Sequence, residues 1–128
     1  MEQSEPSKPR VLVIEDSDVE RELMEVMLAG LGVDVVLASN GKEGQELALS
    51  EDAGINPFDF ILMNMGMPVM DGYTATQQLR EAGYVRPIIA VTSDPVRQKC
   101  LDAGCTDYLQ KPMTFDSLDS LLRRYGKN

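Results

Sequence analysis

Short apolar runs that alternate with segments of helical period constrain this chain more than any other feature. Val11-Leu12-Val13-Ile14 is continuous and mostly β-branched, as expected of a strand covered on both faces. Val33 to Ala38, Phe58 to Met63 and Pro87 to Val91 repeat the pattern, and Tyr108-Leu109 marks a short fifth strand. Between them lie helix signals. Ser17 and Glu20 form a capping box, with Val19, Leu23, Val26, Met27 and Gly30 on one predicted helical face and Gly32 closing the helix. Asn40 and Glu43 form a looser cap for a helix through Leu47 and Ala48, and Asp71 caps one reaching about Ala82. Asp94-Pro95 predicts another helix start, ended by Gly104. Thr114 caps a last helix with the stripe Phe115, Leu118, Leu121, Leu122 and Tyr125. Five βα units with right-handed crossovers predict an α/β, doubly wound (βα)5 sandwich around a five-stranded parallel sheet.

Length and composition fit one such unit. The 128 residues suit a single domain, with residues 1–9 read as a flexible leader or linker and 10–126 as the domain. Hydrophobic residues make up 43% and charged residues 26%, the balance of a soluble globular protein. No apolar run approaches the length of a membrane span, and no secretory signal opens the chain. Cys100 and Cys105 are too few for a disulfide framework and suit a reducing cytoplasm. Histidine is absent, which excludes histidine zinc sites, Ser-His-Asp triads and any histidine base. The net charge of −9 argues against holding nucleic acid or an anionic membrane. That charge is uneven. Met1 to Asn64 carries 4 basic and 14 acidic residues, whereas Met65 to Asn128 carries 8 and 7, so the first half is where a local cation site is to be sought.

Ligands of doubly wound sheets bind beyond the carboxyl ends of the strands. There the sequence places Glu15-Asp16, Asn64, Thr92-Ser93 and Lys111-Pro112. Two adjacent carboxylates repel, and a hard divalent cation relieves that repulsion through oxygen ligands. Lys111 and the Thr92 hydroxyl are placed to grip an anion beside it, the equipment of phosphoryl transfer. Each residue alone has a plainer meaning as a helix-start acid, a strand-end hydroxyl or a loop lysine. Their conjunction at one rim favours a site.

FDFILMNMGMPVMDG, Phe58 to Gly72, resembles the central signature of bacterial response-regulator receiver domains. VLVIEDS before it, and IIAVTSD and DYLQKP after it, match the flanking signatures in order and spacing, over about Arg10 to Tyr125. The MPVMDG wording looks most like receivers of hybrid histidine kinases. The resemblance implies the flavodoxin-like strand order 2-1-3-4-5 and a role in two-component phosphorelay signalling. A histidine kinase or histidine phosphotransfer protein would supply the phosphoryl group. Asp16 would ligate Mg²⁺, with Glu15 acting through water and the Gly66 backbone carbonyl as a further ligand. Thr92 and Lys111 would contact phosphoryl oxygens, and Tyr108 would be a switch that moves inward with Thr92. Helix four, strand five and helix five would form a face for dimerisation or effectors. The Lys111-Pro112 bond would be cis.

The sequence departs from the family at the acceptor position. Asn64 stands where the family has its phosphoacceptor aspartate. An amide carbonyl can ligate Mg²⁺, but an amide is no carboxylate nucleophile, so no phosphorylation is expected at that site. Asp59 lies five residues earlier, away from the rim, and is no substitute. Asn64 is therefore either an acceptor-blocking change in an otherwise complete receiver or the mark of a natural pseudo-receiver that signals by binding. Gly66 leaves the pocket mouth open.

A haloacid-dehalogenase-like phosphohydrolase is the rival from another class, because Asp16-Ser17-Asp18 imitates its D-x-D opening. The chain has little room for a cap domain, however, and MPVMDG has no role there. A nucleotide-binding first loop fits worse, since EDSDVE would repel phosphate. The expected protein is thus a signalling module and not a turnover enzyme. Met63, Met65, Met67 and Met70 read as packing and loop residues, and the two cysteines as buried thiols. Arg97, Lys99, Arg123 and Arg124 place positive charge on helices four and five.

Overall fold

The computed structural model describes residues 8–68 and 70–126, so most of the expected leader, Met1 to Ser7, lies outside the described residues. Its strands are β1 (Arg10–Ile14), β2 (Asp34–Ala38), β3 (Phe60–Asn64), β4 (Ile88–Thr92) and β5 (Asp107–Gln110). Its helices are α1 (Asp18–Gly30), α2 (Gly41–Asp52), α3 (Gly72–Glu81), α4 (Arg97–Ala103) and α5 (Phe115–Tyr125). All strands are parallel, in the order β2-β1-β3-β4-β5, as the sequence predicts.

Alternation along the strands divides the core in two. Leu12, Ile14, Ile61, Met63, Ile88 and Ala90 point to one face, where Ala48 of α2, Ala75 and Leu79 of α3 and Cys100 of α4 cover them. Val11, Val13, Phe60, Leu62, Ile89 and Val91 point to the other, under Met24, Met27 and Leu28 of α1 and Leu118 and Leu121 of α5. Central strands covered on both sides need apolar residues throughout, which is why β3 and β4 are buried at every position. Each large aliphatic side chain buried this way contributes about 1.5–3 kcal/mol. Edge strand β2 is only half-buried.

Four local expectations are corrected. The predicted face of α1 is not the one that packs: Val19, Leu23 and Val26 are 76%, 55% and 63% exposed. Met24, Met27 and Leu28 go inward instead, a tighter i, i+3, i+4 cluster that matches the sheet surface. The capping box at Ser17 is half-formed. The Ser17 side chain accepts from the Glu20 N–H at 3.3 Å, but the Glu20 carboxylate is drawn to Lys111. Asp94-Pro95 does not open α4, which begins at Arg97 with Val96 as an N-cap lacking a side-chain bond. The Asp94 carbonyl is used instead by the Val96 N–H and the Tyr108 hydroxyl. Finally, Phe115 is 54% exposed and lies toward Gly30 of α1. The remaining caps form as predicted, with Asn40, Asp71 and Thr114 each accepting from the backbone three residues on.

Candidate functional site

Parallel strands deliver their carboxyl ends to one side of the sheet, so four separate stretches of sequence meet there. Glu15, Asp16, Asn64, Gly66, Thr92 and Lys111 line one polar pocket of about 340 Å³, together with Ser17, Glu20, Ser93 and Asp94. Of the predicted rim residues, all but Pro112 line this pocket, and Pro112 lines a neighbouring groove. Gly72 fixes how tightly α3 abuts it: a Cβ there would lie 2.5 Å from the Asn64 carbonyl oxygen and 2.7 Å from the Met65 Cα. Only glycine allows that approach. Gly66 is the opposite case, since a Cβ there would meet nothing within 4 Å.

Asn64 is the centre of the hydrogen-bond network. Its Nδ2 donates to Glu15 Oε2 at 3.0 Å and to Asp16 Oδ1 at 3.1 Å, and its Oδ1 accepts from the Gly66 N–H at 3.2 Å. Glu15 is 1% exposed, whereas Asp16 faces solvent. Glu15 Oε2 also accepts from the Ser17 N–H at 3.0 Å, while Glu15 Oε1 is buried without a hydrogen-bond partner. Burial pushes the Glu15 carboxyl above its ordinary range; the Ser17 N–H and Lys111 oppose that rise, and Asp16 and Glu20 add to it. Lys111 Nζ lies 3.7 Å from Glu15 Oε1 but donates to Glu20 Oε1 at 2.7 Å. Thr92 is buried, and its Oγ1 accepts from the Asp94 N–H at 3.2 Å. The Tyr108 hydroxyl donates to the Asp94 carbonyl at 2.5 Å, tying β5 to the loop after β4. The Lys111-Pro112 bond is cis.

Sequence reasoning missed two participants. Glu20 fits a helix-cap pattern, yet it lies in the first turn of α1, which starts at the rim, and its carboxylate accepts from Lys111 at 2.7 Å. Arg21 clamps the turn after β1, donating to the Glu15 and Asp16 carbonyl oxygens at 2.9 and 3.2 Å and pairing with Asp18. An apolar groove of about 400 Å³ adjoins the pocket, lined by Leu23, Met24, Met27, Pro112 and Met113, and shares Glu20, Ser93 and Lys111 with it. Asp59 and Asp18 stay away from the pocket. Asp59 accepts from the Arg10 N–H at the opposite end of the sheet, and exposed Asp18 pairs with Arg21. Cys100 and Cys105 are free and buried, and burial pushes the Cys105 thiol up to about 11.

The donor set suits a hard divalent cation in kind: carboxylate, amide and backbone oxygens, with Glu15 Oε1 lacking a hydrogen-bond partner. It is lean in charge. Among the described residues no group of three or more His, Cys, Asp or Glu is placed to hold a metal.

Comparison with known families decides the assignment. The response regulator receiver domain family matches residues 11–123. The chain belongs to that family. It is 36% identical over 121 residues to two-component response regulator 24 of Arabidopsis thaliana, covering 92% of this chain and 84% of the relative. It is 38% identical over 125 residues to hybrid signal transduction histidine kinase G of Dictyostelium discoideum, covering 91% of this chain but only 4% of that much longer protein. Among solved structures, the receiver domain of sensor histidine kinase PA1611 from Pseudomonas aeruginosa, which has a magnesium ion in its active site cleft, superposes with a TM-score of 0.77. The two are 35% identical over 93% of this chain and 98% of that one. The Saccharomyces cerevisiae receiver domain of Ssk1, crystallised with the phosphotransfer protein Ypd1, gives a TM-score of 0.81 at 25% identity over 96% and 92% of the chains. This receiver therefore belongs to two-component phosphorelay signalling. No helix among its described residues is long and apolar enough to cross a membrane.

Proposed function

We propose that residues 10–126 form a receiver module that works by binding a phosphorelay partner, without accepting a phosphoryl group at position 64. The observation that carries this reading is Asn64 itself. It ends β3 at the base of the pocket, where the family resemblance implies the acceptor carboxylate, and its amide points both N–H groups at Glu15 and Asp16. Transfer requires a carboxylate oxygen to attack phosphorus while the P–N bond to a donor histidine breaks. An amide offers no such nucleophile. The module is cytoplasmic in this reading and turns over no substrate.

The remaining residues support the rest of the family role. In an aspartate-bearing form, Glu15, Asp16, the side chain at position 64 and the Gly66 carbonyl would hold Mg²⁺, which neutralises phosphoryl oxygens when bound. Thr92 and Lys111 would face the phosphoryl oxygens of an acid-bearing form, and the Tyr108 latch on Asp94 would be the switch. The partner would be a histidine kinase or a phosphotransfer protein, by likeness to relatives of those descriptions. The face of α4, β5 and α5 would serve a dimer mate or effector.

Intact mass after incubation with Mg²⁺ and a small acyl-phosphate donor tests this on the chain and on Asn64→Asp. Only the aspartate variant is expected to gain about 80 Da, one phosphoryl group. A gain by the unaltered chain would overturn the block at position 64. Failure of both would remove the receiver chemistry from the pocket.

A further inference from the structure

The acid pair in the pocket is held together by something other than its nearest ammonium. Lys111 is hydrogen-bonded to Glu20 at 2.7 Å and stands 3.7 Å from Glu15. Asn64 does the bridging, with one amide nitrogen donating to Glu15 at 3.0 Å and to Asp16 at 3.1 Å. A third bond fixes its orientation. The Gly66 N–H donates to Asn64 Oδ1 at 3.2 Å, so turning the amide over would set donor against donor there and acceptor against both carboxylates. Glu15, buried and short of one partner, is the group that would suffer most.

We infer that the Asn64 amide is a built-in substitute for the divalent cation of this pocket. It bridges the acids from within, so the pocket is set without metal. A cation can enter only by breaking both bridging hydrogen bonds, and it then finds two carboxylates where an aspartate at position 64 would make three. The chain should accordingly be indifferent to Mg²⁺, and one substitution should make it Mg²⁺-dependent. This inference stands on the hydrogen bonds alone and does not depend on the phosphoryl-transfer reading, which the mass measurement tests separately.

Thermal unfolding of the chain, Asn64→Asp and Asn64→Leu in EDTA and in millimolar MgCl2 tests it, beside calorimetric titration with Mg²⁺. The unaltered chain should melt at one temperature in both media. Asn64→Asp should melt lower in EDTA, rise by several degrees with Mg²⁺, and bind Mg²⁺ about tenfold or more tightly than the unaltered chain. Asn64→Leu, with no donors and no new charge, should melt lower in both media without responding to Mg²⁺. A Mg²⁺ shift in the unaltered chain equal to that of Asn64→Asp would overturn the inference, as would an Asn64→Leu protein as stable as the unaltered chain. Should Asn64→Asp fail to fold in EDTA and fold in Mg²⁺, the inference is upheld. Should it fold in neither, tight Mg²⁺ binding by the unaltered chain would still overturn it, and absence of that binding would support it.

Discussion

The two ends of the sheet both gather acids, and they neutralise them differently. At the amino ends arginines answer. Arg10 pairs with Glu51 at 2.6 Å, approaches Asp34 at 3.5 Å, reaches the Asn56 carbonyl oxygen and lies over the Phe58 ring. Asp107, opening β5, is held by Arg124 at 3.0 Å, Arg97 at 3.6 Å and the Tyr125 hydroxyl at 2.9 Å. At the carboxyl ends no arginine side chain among the described residues bonds to the carboxylates of Glu15 or Asp16, since Arg21 reaches only their backbone carbonyls; the carboxylates meet an amide and a lysine shared with Glu20. Acid clusters therefore have two meanings here. Those with their own guanidinium are structural clamps, and the pair without one forms the pocket.

The largest expected effect tests whether the carboxyl end is set by backbone packing. Gly72→Ala would drive a Cβ into the Asn64 carbonyl and Met65, and should cost about 3 kcal/mol of stability in urea unfolding. A loss below about 1 kcal/mol would mean that α3 can draw back freely.

Next comes the contrast between the ends themselves. Arg10→Met keeps an apolar stem on Phe58 but removes the clamp, and should cost about 2 kcal/mol. Lys111→Met should cost less than about 1 kcal/mol, because Asn64 already bridges the acids. Equal losses would erase the distinction.

A further effect depends on pH. Burial alone would raise the Asp107 carboxyl, but the Tyr108 N–H, the Tyr125 hydroxyl and the two arginines outweigh it and hold it below its ordinary value. The stability this carboxylate contributes is present above the usual carboxylate range and lost as pH falls through its lowered folded value. Asp107→Asn should thus cost about 1 kcal/mol at neutral pH, with the gap closing below about pH 4. A gap that persists in acid would assign the loss to packing.

The five βα units, the caps at Asn40, Asp71 and Thr114 and the rim residues were legible in the sequence because each depends on local pattern or on the geometry of parallel sheets, whereas the strand order came from the family resemblance. The α1 face was not. Val19, Leu23 and Val26 make one apolar stripe and Met24, Met27 and Leu28 another, and apolarity alone does not say which the sheet will take. Nor did the sequence show what Glu20 does, since Ser17 and Glu20 satisfy a capping pattern while Lys111 lies 91 positions away. The start of α4 slipped past Asp94-Pro95 because the Asp94 carbonyl bonds across to Tyr108, a long-range contact that no local signal carries. Within the pocket, residue identities were readable; the direction of the Asn64 amide was not, because three partners decide it and two of them, Glu15 and Asp16, lie 48 or more positions away.

Gly72 sets the core against β3 through backbone, whereas Asn64 meets the pocket only through its side chain, beyond the last apolar position of its strand. Fold and chemistry are in that sense written in separate registers. The scaffold can keep its layers while position 64 changes what the rim does, so a single exchange there rewrites the message and leaves the page intact.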